Sequence, residues 1–251
     1  MKPILFSLLL IALIIFLLLV LIQRKQIFAK PALLGLFFGV YFLDNLTITL
    51  TNHIPGLQIV PNYVWEGFLL YGWSGKLYSI LLVVAFVFLV RPGLTKEDVG
   101  LTLRQNEGFL VPASLIVLAL AAWALIVGMC SPKGQQDFRF LIYLAVMPGL
   151  NEELVYRGYE LAILNRLMPP NFKLFAAPVG WGVIVTSMMF GLLHGVWLDN
   201  SLAVHLDVLA LRNSAFSGLI FAWLRERTGS LLVPIIAHGL EDVLFFLPRM
   251  T

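Results

Sequence analysis

Between Ile4 and Ile22 the chain runs 19 residues without a charge, and only Ser7 interrupts the apolar side chains. A helix of that length reaches about 30 Å, the thickness of a bilayer's hydrocarbon core. One lysine precedes the run, no small-residue cleavage signal closes it, and Arg24-Lys25 follows. It is also longer than the apolar part of an ordinary signal peptide, so the expectation is a retained anchor. The pattern then repeats, with apolar segments at roughly 33–50, 72–90, 109–129, 140–167, 179–198, 202–224 and 231–247. The chain is 60% hydrophobic and 12% charged, with a mean hydropathy of +0.91, which excludes an ordinary soluble domain. The expected fold is all-α: a polytopic membrane bundle of about eight transmembrane helices around a buried polar cavity. The second, fifth and seventh segments carry the most polar residues.

The net charge of +3 reports topology rather than nucleic-acid binding, because the basic residues sit mostly in short connections. With the N-terminus outside, the inside connections hold Arg24, Lys25, Lys30, Arg91, Lys96, Arg104, Arg166, Lys173, Arg225 and Arg227. The outside keeps Lys2, Lys76, Lys133, Arg139 and Arg249. This asymmetry predicts both termini outside, and the short chain with compact loops suits a prokaryotic cell membrane. The one cysteine, Cys130, can form neither an intramolecular disulfide nor a thiolate metal site. The stretch 51–71 carries Pro55, Pro61, Tyr63, Trp65 and Tyr71, which predicts an interfacial aromatic belt or a re-entrant piece. No repeat or linker divides the sequence, so residues 1–251 are read as a single integral membrane domain.

Charge inside these segments needs a reason, since an ionised side chain at the bilayer centre costs roughly 2.5–3.5 kcal/mol on insertion scales. The run Met147-Pro-Gly-Leu-Asn-Glu152-Glu153-Leu-Val-Tyr-Arg157 holds two carboxylates and an arginine. Glu153 and Arg157 are four apart and share a helix face, which predicts an ion pair. Glu152 points about 100° away and is expected to stay free as a general base. Phe190 and His194, again four apart, place a ring one turn below an imidazole that could share a water with Glu152. His238 and Asp242 repeat the spacing, with His238 donating to a developing oxyanion and Asp242 setting its tautomer. Pro234 and Gly239 are expected to loosen the backbone beside it.

Other polar residues read more simply. His205 and Asp207 look like a solvated helix start, and His53 like a loop residue. Arg212 and Asn213 could pair with Asp199, Asp207 or a lipid headgroup. Asp44 and Asn45 could face the cavity. Gly35 and Gly39 form a helix-packing pattern that is common by chance.

The set Glu152, Glu153, Arg157; Phe190, His194; His238, Asp242 resembles the CPBP intramembrane endopeptidases, a group that takes in type II CAAX prenyl proteases and Abi or bacteriocin-immunity proteins. The resemblance covers roughly 140–247, with Asp242 where asparagine is more frequent. It implies a helical bundle and a glutamate-activated water that hydrolyses a peptide bond of a membrane-associated, possibly prenylated or C-terminally anchored, protein. Glu152, His194, His238 and Asp242 would be catalytic, and Glu153, Arg157 and Phe190 would orient them. No cofactor is required; were zinc present, Glu152, His194 and His238 would hold it. The alternatives are a non-enzymatic immunity or scaffold protein and an ion-coupled transporter, although no internal symmetry favours the latter.

Overall fold

The computed structural model describes residues 1–65, 68–90, 93–134 and 137–250, with side chains for all of these except 63–65 and 68–71. The chain is mostly helical. Among the described residues, four helices are long and apolar enough to cross a membrane by length and composition: α1 (Lys2–Ala29), α2 (Pro31–His53), α3 (Trp73–Val90) and α5 (Leu110–Cys130), with the short α4 (Lys96–Val99) between the last two. Then α6 (Phe138–Glu152), a π-helical segment (Glu153–Glu160) and α7 (Leu161–Leu167) form one continuous rod. The remaining helices are α8 (Trp181–Gly195), α9 (Val208–Thr228) and α10 (Leu232–Phe246). Among the described residues, antiparallel strand pairs lie in the connections: β1 (Tyr63–Trp65) with β2 (Phe68–Tyr71), β3 (Phe172–Leu174) with β4 (Ala177–Val179), and β5 (Val196–Leu198) with β6 (Val204–Leu206). The side chains of Tyr63, Trp65 and Tyr71, expected to form an aromatic belt, lie outside the described residues.

Both faces of the outer helices are apolar. On α1, Leu8, Ile11, Ile15 and Leu19 are buried at helical spacing, while Leu9, Leu13, Leu17 and Leu21 are exposed. An amphipathic soluble helix would place charge on that outer face; a helix solvated by lipid has no such need. Pro31 breaks α1 from α2, because proline suits a first helical turn and disfavours helix in the residue before it; Lys30 accordingly leaves helical geometry at φ −132°.

The rod lies at the centre, and all eight residues of its π segment are buried. Its closest neighbour is α10. A Cβ on Gly149 would stand 2.7 Å from the Ile235 carbonyl oxygen, and one on Gly239 would stand 2.5 Å from that of Ala145. Gly239 therefore permits close backbone approach rather than local looseness, and that approach carries His238 onto the rod. Of the glycine pair in α2, Gly39 faces Phe86 on α3, whereas a Cβ on Gly35 would meet nothing within 4 Å.

The sixth and seventh apolar segments are shorter as helices than the sequence suggests. Helix α8 stops at Gly195, and the apolar residues Val196–Leu198 enter β5 instead. At 15 residues α8 is about 22 Å long, short of the roughly 30 Å hydrocarbon core. Asp207 caps α9, accepting from the Ala210 amide at 2.9 Å, so α9 starts six residues after the apolar run does. His205 belongs to β6, not to a helix start, and pairs with Asp199 at 2.8 Å while stacking on Trp197. Arg212 bonds to Asn213 rather than to either aspartate, and His53 is the exposed last residue of α2.

Basic residues gather at one end. Lys30 donates to the Arg166 carbonyl at 2.6 Å, and Arg166 reaches Gly93 at 2.7 Å and Asp98 at 2.9 Å. Arg225 donates to the Asp98 carbonyl at 2.6 Å and Arg227 to that of Glu107 at 3.1 Å. The opposite end is tied by Arg249 on the Pro132 carbonyl (3.1 Å) and Lys133 on that of Pro248.

Candidate active site

Glu152 ends α6 and Glu153 opens the π segment, near the midpoint of the rod. Pro148, one turn earlier, lacks an amide hydrogen, and π segments are frequent at functional sites. Glu153 and Arg157 are fully buried and paired at 3.0 Å, as their spacing predicts. The Arg157 guanidinium lies 4.4 Å from the Phe190 ring centroid and 5.4 Å from that of Phe221, so aromatic faces replace its hydration.

His238 is the hub of the cluster. Its Nδ1 stands 2.8 Å from Glu153 Oε1, its ring stacks on Phe221 at 4.8 Å, and Phe190 meets it edge-on at 6.0 Å. With Glu153 ionised by its arginine, Nδ1 carries the proton. The tautomer is therefore set by Glu153, whereas Asp242 Oδ2 lies 3.7 Å from Nε2, too far for a good hydrogen bond. Nε2 also faces Glu152 Oε2 at 3.8 Å. His194 is tethered likewise, Nδ1 to the Phe190 carbonyl at 2.8 Å, with its ring 4.5 Å from that of Phe190. An Nδ1–H donated to that carbonyl leaves Nε2 as an acceptor.

Glu152 is not free. Lys76 on α3 sits 2.6 Å from Glu152 Oε1, and both are largely buried. Lys76 is therefore not a charge of an outside connection: it is only 9% exposed and points inward to the carboxylate. Its Nζ also approaches Asn151 Oδ1 at 3.5 Å. Asn151 donates to Asp44 at 3.3 Å and to Ser79 at 3.2 Å, and the Ser79 hydroxyl donates to Asp44. Asp44 thus faces inward, while Asn45 donates to the Tyr41 carbonyl.

A cavity of about 440 Å³ lies beside this cluster, lined by His194, His238 and Asp242 together with Trp123, Asn213 and Ser217. Glu241 lines it too and accepts from Ser217 at 2.6 Å. Glu152 is not part of that wall, and among the described residues no hydrogen bond or ion pair joins it to His194. Glu152, Glu153, Phe190 and Asp242 thus face His238 directly, Arg157 joins through Glu153, and His194 lies across the Phe190 ring. As to zinc, Lys76 engages Glu152 Oε1, and His194 and His238 are each tethered at Nδ1, which leaves their Nε2 atoms to face a ligand; among the described residues no group of three His, Cys, Asp or Glu is gathered to hold a metal ion.

Residues 134–244 match the family model described as "Type II CAAX prenyl endopeptidase Rce1-like". This stretch is a domain of the CAAX protease (CPBP) family. That is a family of proteases, and the membrane-span-like helices agree with an integral membrane setting. No curated protein and no solved structure matches the chain. All seven sequence-selected residues fall within the CAAX protease domain, whereas Lys76, Asp44 and Ser79 fall before it. The signal for Lys76 was present in the sequence: a lysine one turn into an apolar segment needs a partner for the same reason as Glu152. Glu241 lay in plain view beside Asp242.

Proposed function

We propose that this protein is an intramembrane endopeptidase that hydrolyses a peptide bond of a membrane-associated protein. The observation that carries the reading is the convergence on His238 of Glu152, Glu153 and Asp242 from two packed helices, beside a cavity of about 440 Å³ and inside a CAAX protease domain. Glu152, held at one oxygen by Lys76, lies behind the wall and accepts a proton through the other, 3.8 Å from His238 Nε2, from a water at that edge of the cavity, with His194 on the wall as a second acceptor. The resulting hydroxide adds to the scissile carbonyl carbon. His238 donates to the oxyanion from Nε2, which requires the doubly protonated ring, with the surrounding carboxylates balancing its charge. Collapse breaks the C–N bond, and the proton taken from water passes to the leaving amine. General-base catalysis of this kind contributes typically about 10²–10⁴-fold, and loss of one oxyanion donor costs about 10²–10³ in rate.

The substrate is a membrane-anchored protein, with a lipidated or C-terminally anchored chain as the two forms to compare first. The test is cleavage of a panel of prenylated and membrane-anchored peptides by wild type and Glu152→Gln in proteoliposomes, with and without a strong chelator. Glutamate-dependent, chelator-insensitive cleavage supports this chemistry. Chelator-sensitive cleavage would move the site to a metal, and cleavage undiminished in Glu152→Gln would remove Glu152 from the mechanism.

A further inference from the structure

The cavity and the basic residues occupy opposite ends of the bundle. Helix α5 begins next to the 93–108 connection and ends at Cys130, and the cavity takes Trp123 and Val127 from its second half. Helix α9 runs the other way, ending at Arg225 and Arg227, and the cavity takes Asn213 and Ser217 from its first half. From α10 it takes Asp242 and Phe246, near the Arg249 end. His194 reaches the wall because α8 stops short: its start packs by Gly182 against Asn165 and Leu161 of α7, and its other end closes with the β5–β6 hairpin. Apart from Phe221 and His238, near the middle of α9 and α10, the lining residues of all four helices lie in the half remote from the 93–108 connection.

The connection end is the richer in cations: Lys30, Arg166, Arg225 and Arg227 converge there, and Lys96 and Arg104 lie within the connection itself. Lys and Arg in short connections mark the cytoplasmic side of a membrane protein. We infer that the cavity opens to the non-cytoplasmic side and takes an extended extracytoplasmic segment of a membrane-anchored protein, rather than a lipidated C-terminus on the cytoplasmic leaflet. The inference rests on the proposed reading of the cavity as the reaction chamber. Its rim suits such a segment: Trp123, Phe245 and Phe246 offer apolar contact, while Asn213, Ser214 and Ser217 offer hydrogen bonds to an unpaired backbone.

The test needs no activity. In the full-length protein with Cys130→Ser, single cysteines are placed at the β5–β6 tip (Asn200→Cys), in the cavity wall (Ser214→Cys) and in the basic connection (Glu107→Cys), and spheroplasts are treated with a membrane-impermeant maleimide before or after lysis. Native Cys130, exposed at the cavity end in the otherwise unaltered protein, is a further reporter that requires no substitution. The expected result is full labelling of Cys130, Asn200→Cys and Ser214→Cys before lysis, with Glu107→Cys labelled only afterwards. The reverse pattern, or Ser214→Cys labelled only after lysis, overturns the inference while leaving the peptidase reading intact. Loss of that reading would show instead as unchanged cleavage by Glu152→Gln.

Discussion

Two clusters of charge stand out among the described residues and differ in construction: the basic end, partly at the surface, adds one ion pair, Arg166 with Asp98, to contacts that are mostly with backbone. At the basic end, Arg166, Arg225 and Arg227 donate to the backbone carbonyls of Gly93, Asp98 and Glu107, pinning an irregular connection whose oxygens need donors. Around His238, charges meet charges: Lys76 with Glu152, Arg157 with Glu153, and His238 among three carboxylates. The first arrangement holds backbone in place. The second holds acidic and basic groups in register beside a cavity, as proton transfer requires. The difference lies in what the partner is, since arginine serves in both.

That contrast gives an order of expected effects. Arg157→Ala should be the most damaging, because it leaves Glu153 as a fully buried carboxylate without its cation. Breaking a buried pair costs about 3–5 kcal/mol, so purified yield and thermal stability should both collapse. A well-folded, fully active Arg157→Ala would show that the pair does not organise the site.

Lys76→Met should fold, since a methionine fills much of the same volume, but it strips Glu152 of a charge-assisted bond worth about 1.5–3 kcal/mol. Turnover should fall while KM for a peptide substrate changes little, and Lys76→Arg should recover part of the loss. Equal turnover in Lys76→Met would reduce the lysine to a structural counter-charge.

Arg225→Ala should do the reverse, lowering thermal stability by about 1–3 kcal/mol through the orphaned carbonyls of Glu97 and Asp98. Activity per folded molecule should not change. A loss of turnover with stability intact would join the two clusters and break the comparison.

The smallest effect belongs to Asp98, at the surface of the basic end. Burial alone would raise its carboxyl, but the Thr95 amide and hydroxyl and the Arg166 guanidinium hold it below the ordinary carboxylate range. A carboxyl depressed in the folded state stabilises above its unfolded value, and the contribution disappears as pH falls through its folded one. Asp98→Asn should therefore flatten the acid limb of the stability profile slightly, by less than about 1 kcal/mol because the pair is exposed and screened. An identical acid limb in the variant would assign acid sensitivity elsewhere.

Much of this architecture was legible in the sequence. Each apolar segment carries helix, and the four-residue spacing of Glu153 with Arg157 produced the expected pair, since both readings depend only on local periodicity. What escaped depends on neighbours distant in the chain. Helix α8 ends early because Gly195 and Asp207 close a hairpin, although Val196–Leu198 are as apolar as the helix before them. Lys76 reads from sequence as a lysine of an outside connection because its partner lies 76 residues away. The orientation of His238 depends on Glu153, 85 residues distant, rather than on Asp242 one turn along its own helix. Local spacing found the residues that share a face, and only tertiary packing could say which of them share a proton.

The most direct test measures turnover and thermal unfolding on the same reconstituted preparation of Glu152→Gln. A catalytic carboxylate predicts an unfolding temperature close to that of wild type, with cleavage reduced by at least about 10². Undiminished cleavage, or a loss of activity that only follows a loss of folded protein, would contradict the assignment of this buried cluster to catalysis.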